Sequence, residues 1–225
     1  QLHFAQGRLY AAIIAAQGET DALTVRVTWF NIDSGEEFSR SEHYTRAELA
    51  DFLADTLARF AHWLHTLMQA RRERDASIVA LAFPYGGFRS GQREIAELAY
   101  KCVHQGGQLL LEAPTGIGKT AAVLFPALKA LATGRHDKVL FLTAKTVGRR
   151  AAQAALADFA AAGYRGTALS LTAKDKICFS PGRACHGDDC PFARNYYDKL
   201  PAAMYAAIAQ RVLTREDVES IARCF

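Results

Sequence analysis

Nine residues constrain this chain more than any others: Glu112-Ala-Pro-Thr-Gly-Ile-Gly-Lys-Thr120, which follow an apolar run from Gln108 to Leu111 and open an Ala-rich stretch from Ala121 to Ala132. A small first residue, Ala113, and two glycines, Gly116 and Gly118, let successive backbone amides turn inward on a polyphosphate at a helix N-terminus. In this pattern Lys119 reaches the β- and γ-phosphates and the Thr120 hydroxyl ligates Mg²⁺. The first position is Ala rather than the commoner Gly, but the strand, loop and helix around it are in the required order. The expected ligand is ATP or a related nucleotide with Mg²⁺, held by Ala113, Pro114, Thr115, Gly116, Ile117, Gly118, Lys119 and Thr120.

At 225 residues, half of them hydrophobic, the chain is long enough for one large domain or parts of two. A formal charge of +4 permits a nucleic-acid partner without requiring one. No apolar run approaches the roughly 18 residues of a membrane span, and no secretory leader is recognisable. The expectation is a soluble protein without a membrane partner, of the bacterial cytoplasm. The chain starts at Gln1 and stops at Phe225 just after a cysteine, and is expected to be a piece of a longer polypeptide.

The first part is written in a different pattern from the rest. Leu23, Val25, Val27 and Trp29 alternate with Thr24, Arg26 and Thr28, which predicts a half-buried strand. Asn31 to Glu36 is a turn cluster, and Phe38 to Tyr44 can return as the second arm of a hairpin. Thr45-Arg-Ala-Glu48 is a capping box. The helix it starts repeats apolar residues at Leu49, Phe52, Leu53, Leu57, Phe60, Leu64 and Leu67, and is expected to end near the basic cluster Arg71, Arg72, Arg74. His62 and His65 fall on that helix without acidic or Cys partners at matching positions, so a partly exposed face is favoured over a metal site. The basic cluster fits a solvated helix end and is given no function.

Pro84, Gly86, Gly87 and Gly91 interrupt the pattern between Ala82 and Gln92, where a domain boundary is expected. Beyond it the order reads helix (Gln92 to His104), strand (Gln108 to Leu111), loop, helix (Lys119 to Ala132), strand (Lys138 to Thr143), helix (Val147 to Ala162), strand (Thr167 to Leu171). Alternation of this kind predicts an α/β fold whose parallel sheet binds ligands at the carboxyl ends of its strands. Pro126 should bend its helix rather than end it.

Of five cysteines, four crowd the last third: Cys178, Cys185, Cys190 and Cys224, spaced C-x6-C-x4-C-x33-C. Cys102 reads as a small core hydrophobe. In a reducing compartment a shared metal accounts for the four better than disulfides. Thiolates suit both zinc and an iron-sulfur centre. Short C-x2-C knuckles typical of structural zinc are missing, and wide, uneven spacing suits a four-cornered [4Fe-4S] cluster.

Taken together, these residues resemble the iron-sulfur superfamily 2 DNA helicases of the XPD/DinG type. Phe83-Pro-Tyr85 with Phe88-Arg-Ser-Gly-Gln92 looks like that family's adenine-reading segment, Gln92 at the base and Arg89 nearby. Glu112 to Thr120 has its phosphate-loop form, and Phe141-Leu-Thr-Ala-Lys-Thr146 resembles the next motif, where a strand end touches the DNA backbone. Cys178, Cys185, Cys190 and Cys224 occupy the places of its four cluster ligands. Gln1-Leu-His-Phe-Ala5, the hairpin and the long helix look more weakly like the end of a RecB-type PD-(D/E)XK nuclease domain. That family's late motif is Q-x-x-x-Y; Ala5 stands at the Tyr position, and nothing here can cut DNA by that route. The resemblance implies a nuclease-like part at 1–82, the first part of a RecA-like ATP-binding domain at 83–173 and an iron-sulfur domain at 174–225.

Function follows as an expectation: an ATP-dependent helicase acting in DNA repair on single-stranded and forked DNA, as a monomer, with 5′ to 3′ polarity implied by resemblance only. Thr143, Lys145 and Thr146 offer hydroxyl, ammonium and amide donors for phosphates read without sequence. Arg149 and Arg150 either extend that contact or are ordinary helix-surface charges. Phe192, Tyr196 and Tyr197 either stack bases or, the favoured use, pack around the cluster. Phosphoryl transfer also needs an acidic Mg²⁺ partner and an arginine finger. Neither is recognisable before Phe225, so this chain is expected to bind nucleotide weakly without turning it over. Two rivals are a P-loop regulatory ATPase with a redox or zinc thiolate site that is not a motor, and a zinc module on a nuclease remnant that only recruits DNA.

Overall fold

The hairpin forms where the alternation places it. In this computed structural model, which describes residues 2–18 and 20–225, helix α1 (Leu2–Gln17) precedes strands β1 (Ala22–Phe30) and β2 (Glu37–Thr45). The strands pair antiparallel from Ala22 opposite Thr45 to Phe30 opposite Glu37. Asn31 makes the turn: its Oδ1 accepts from the amides of Asp33 at 2.9 Å and Ser34 at 3.2 Å, an Asx turn that competes with strand continuation.

Helix α1 was not anticipated, because its Ala-rich sequence favours a helix without an amphipathic repeat to announce it. Its Phe4, Ala11, Ala12 and Ala15 are buried with Val25 and Leu49. Small side chains bring it close to the sheet: a Cβ on Gly7 would lie 2.6 Å from Val25 Cγ1. Arg8 stacks its guanidinium 4.4 Å from the Phe52 ring centre and 4.8 Å from that of Tyr44. Gln1, the first residue of the nuclease-like motif, lies outside the described residues, and Ala5 is exposed on α1.

The capping box is present. Glu48 accepts from the Thr45 amide at 2.8 Å and its hydroxyl at 2.9 Å, while the Glu48 amide donates to Thr45 Oγ1 at 3.3 Å. Helix α2 (Arg46–Ala80) does not stop at the basic cluster but runs through it. Arg71 pairs with Asp137 at 2.7 Å, and Arg74 pairs with Asp75 at 2.7 Å and donates to the Asp137 carbonyl at 3.0 Å. These contacts hold the cations along the helix side, and Ile78 and Leu81 beyond them are buried. Of the apolar repeat, Leu49, Phe52 and Leu53 pack in the first unit, whereas Leu57, Phe60, Leu64 and Leu67 are exposed, as are His62 and His65.

The chain divides into two compact units within α2, between Met68 and Gln69. The division falls ahead of the Gly- and Pro-containing seam because Ile78, Leu81 and Phe83 belong to the second unit's core. There the elements are α3 (Gln92–Gln105), α4 (Lys119–Leu131), α5 (Thr146–Ala161), β3 (Ala168–Leu169), α6 (Lys174–Ile177), α7 (Tyr196–Gln210), β4 (Val212–Leu213) and α8 (Arg215–Cys224). Ile78, Leu81, Leu124, Leu128, Leu131, Phe159 and Tyr164 form the core. Pro126 is accommodated inside α4 and buried.

Helices α3, α4 and α5 lie within a residue or two of expectation, α6 to α8 were not anticipated, and the wound parallel sheet is absent among the described residues. Among the described residues, Gln108–Leu111 and Lys138–Thr143 form no ladder, and β3 pairs only with β4, in parallel. A parallel strand is stable when both faces are covered, and Leu110, Leu140 and Leu142 are 101%, 79% and 90% exposed. The architecture is mixed helix with small sheets. No helix among the described residues is long and apolar enough to cross a membrane.

The closeness of α1 to β1 yields a test. Gly7→Ala gains helix propensity of up to about 1 kcal/mol but drives a methyl into Val25, and overpacking typically costs about 1–3 kcal/mol. A net loss in urea unfolding is expected, relieved when Val25→Ala is added.

Candidate nucleotide site

The phosphate loop is built on the buried helix it opens. Ala122 is fully buried and Ala121 nearly so, which fixes the first turn of α4 against the core. Gly116 at φ 84° and Gly118 at φ 85° occupy the left-handed region, where a side chain would be strained. Gly118 caps α4 without a side-chain bond, and Lys119 is its first residue. The Lys119 ammonium donates to the carbonyls of Ala113 and Pro114, both at 2.8 Å. The loop is thereby folded around its own lysine, with Thr120 half-buried behind it and Thr115 exposed at its crest.

The segment before α3 holds this loop from behind. Phe83 stacks on Phe88 with centroids 4.2 Å apart and meets Phe125 edge-on at 5.3 Å. Tyr85 donates to Asp158 Oδ2 at 2.7 Å. Burial, then the hydrogen bond and charge of Asp158, push its phenol up to about 12. So anchored, the segment delivers Arg89 and Gln92. Arg89 Nη1 donates to the Gly116 carbonyl at 2.8 Å. Gln92, buried to 4% exposure, accepts from the Arg89 amide at 3.0 Å and donates to the Gly118 carbonyl at 3.2 Å. The residues expected at the base thus bind the phosphate loop itself. Each amide atom of Gln92 makes one such bond, leaving one lone pair and one N–H for a further partner.

Thr143, Lys145 and Thr146 come together at the start of α5. Thr143 Oγ1 donates to the Lys145 carbonyl at 3.0 Å, and Lys145 is the N-cap residue before Thr146. Thr143 sits so close to the first turn that a Cβ on Gly148 would collide with it. Arg149 is half-buried and Arg150 exposed.

The four cysteines lie on segments that share neighbours. Lys174 bonds Cys185 and feels the charge of Cys178, which together hold its ammonium above the ordinary range. The Ser180 amide donates to Cys178 Sγ at 3.4 Å, while its side chain bonds Cys190. Burial raises the Cys190 thiol, but the amides of Ala193 and Phe192, Ser180 and the Arg183 charge outweigh it, and its pKa falls below the usual value. Phe179 packs on Phe192 with centroids 4.9 Å apart. Arg223, next to Cys224, lies 4.3 Å over the Phe179 ring. Tyr196 and Tyr197 contact each other edge-on and are 50% and 70% exposed. Among the described residues no three His, Cys, Asp or Glu side chains stand close enough to hold one metal ion. In donor chemistry the set fits a thiolate-bound centre: all four are free thiols with cations at hand. Cys102 is half-buried on α3.

Two contacts had no sequence signal. Tyr85 reaches Asp158 across 73 positions. Arg211, at φ 66° after α7, pairs with Glu73 at 2.6 Å, donates to the Arg165 carbonyl, and offers its own carbonyl to the Ala168 amide at 2.8 Å. It starts the β3–β4 pair.

Comparison with known proteins points at the same loop. Residues 92–155 match the DEAD/DEAH box helicase family. A 61-residue stretch is 41% identical to a probable ATP-dependent helicase of Methanocaldococcus jannaschii, covering 27% of this chain and 9% of that protein. No solved structure matches the chain. The similarity is to ATP-dependent helicases in general; the family match begins at Gln92, contains the phosphate loop and ends before the four cysteines of the last third.

The Tyr85 contact predicts a pH dependence. An unfolded tyrosine ionises near its ordinary value of about 10, while folded Tyr85 keeps its proton to about 12. Its stabilisation is complete below pH 10 and is lost as pH rises from 10 to 12. Tyr85→Phe should lose about 1 kcal/mol at neutral pH and show a shallower alkaline decline in unfolding free energy than wild type.

Proposed function

We propose that the intact protein is an ATP-dependent DNA helicase of the iron-sulfur superfamily 2, XPD/DinG type. In this reading residues 83–173 are the first part of a RecA-like motor domain, 174–225 an iron-sulfur domain, and 1–82 the end of a PD-(D/E)XK nuclease-like domain. The observation that carries it is the glycine loop at the α4 N-terminus, supported by Arg89 and Gln92 and lying within the region similar to helicases.

The chemistry begins with charge. A triphosphate entering the loop meets the positive end of α4 and the inward amides. Lys119, now on the Ala113 and Pro114 carbonyls, would turn to the β- and γ-phosphate oxygens, and the Thr120 hydroxyl would hold Mg²⁺, which would supply charge neutralisation of the phosphates. Gln92 reads the adenine with the valences its protein bonds leave. Thr143, Lys145 and Thr146 hold the backbone of single-stranded DNA at the α5 N-terminus, and 5′ to 3′ movement on forked substrates follows by resemblance. Cys178, Cys185, Cys190 and Cys224 are the residues to hold a [4Fe-4S] centre, which would supply a rigid inorganic brace for the 174–225 segment. Repair of DNA as a monomer in the bacterial cytoplasm completes the proposal.

Two measurements test it. Isothermal titration with Mg²⁺–ATP should give binding by the 225-residue chain that falls at least about tenfold in Lys119→Ala, since an ammonium paired to phosphate contributes more than about 1.4 kcal/mol. The chain alone should not hydrolyse ATP; DNA-stimulated turnover by it would overturn that part. Anaerobic purification should yield iron and visible absorption, both lost in Cys185→Ser. Stoichiometric zinc without colour would overturn the cluster assignment.

A further inference from the structure

We propose that Arg89 is a positioning residue for phosphate binding, setting the direction of the loop amides rather than touching base or phosphate. The inference rests on the nucleotide site proposed above and concerns how that site is preorganised. Three residues of the 89–92 segment back the loop. Arg89 holds the Gly116 carbonyl at 2.8 Å. Gly91 approaches Ile117 so closely that a Cβ there would stand 3.1 Å from Ile117 Cδ1. Gln92 holds the Gly118 carbonyl at 3.2 Å, and a Cβ on Gly118 would stand 2.6 Å from Gln92 Nε2.

A trans peptide sets its N–H opposite its C=O. Fixing the Gly116 carbonyl toward Arg89 therefore fixes the Ile117 amide on the far side, and fixing the Gly118 carbonyl does the same for the Lys119 amide. The Gly118 carbonyl has a second constraint, the Ala122 amide at 3.1 Å. The Gly116 peptide lies outside the helix, and glycine at φ 84° has no Cβ to resist a flip. Arg89 supplies the side-chain restraint on that peptide. Its backbone is restrained in turn, because its own amide donates to Gln92. A guanidinium-to-carbonyl bond is charge-assisted and stronger than a neutral one. Preorganised amides bind an anion without first being ordered, so the benefit appears for any polyphosphate, with or without a base.

The test compares ATP with inorganic tripolyphosphate, both with Mg²⁺, on the full 225-residue chain. Arg89→Ala should weaken both by the same factor, about tenfold, and should shift the Ile117 amide resonance before any anion is added. Arg89→Met, which keeps the aliphatic stem, should do the same, with an unchanged melting temperature confirming that both variants fold. Weaker ATP with undiminished tripolyphosphate binding would make Arg89 a base contact and overturn the inference. Weaker binding of both with an unmoved Ile117 amide resonance would make it a direct phosphate contact and also overturn it. If the wild-type chain binds neither anion, the nucleotide site itself falls.

Discussion

Everything at the candidate site depends on the burial of one short helix. The first turn of α4 can present its amides to an anion because Ala121 and Ala122 are packed against the core and cannot drift. Alanine at these positions lets neighbouring elements approach, and Leu124, Leu128 and Leu131 carry the contact onward to Ile78 and Phe159. Burying a leucine is worth about 2 kcal/mol, so three of them on one face outweigh the backbone cost of the left-handed glycines before it. The loop is a glycine-dependent element on a rigid support, and the support is apolar.

That arrangement explains why a charged segment can control an apolar one. Phe83 and Phe88 form a stacked pair wedged against Phe125, and Tyr85 closes the segment with its bond to Asp158. Aromatic packing fixes the backbone at 83–88, and the residues just beyond, Arg89 to Gln92, inherit that position. The polar bonds to Gly116 and Gly118 then select one peptide orientation among those the glycines allow.

Much of the sequence was legible where the signal was local, though α1 and the capped α8 were missed. The Thr45–Glu48 box, the Asn31 turn, the helices at 92–105, 119–131 and 146–161, and the loop glycines each depend on partners within a few positions. It was illegible where partners are distant. Helix α2 outruns its basic cluster because Asp137 pairs with Arg71 from another part of the chain. The runs at 108–111 and 138–143 are predicted as strands but pair with nothing among the described residues, because an apolar run fixes neither its neighbour nor its cover. Arg211 looks like any helix-end cation, and only folding brings it to Glu73. At the site, the motif gave Gln92 a role at the base; its bonds to the loop came from geometry that spacing does not encode.

The cysteine segment follows the same rule with charge in place of apolar packing. On the proposed cluster reading, four thiolates would concentrate negative charge that nearby cations would have to offset. Lys174 stands at Cys185 and Cys178, Arg183 acts on Cys190, and Arg223 lies beside Cys224 over the Phe179 ring. These cations come from α6, the loop and α8, so positive charge is distributed over the segments that carry the cysteines. The amides of Phe192 and Ala193 add donors at the most buried thiol. A thiol held in apolar surroundings without such partners would be driven toward its neutral form. Cys190 is driven the other way while remaining 6% exposed, because backbone amides, Ser180 and Arg183 favour its thiolate.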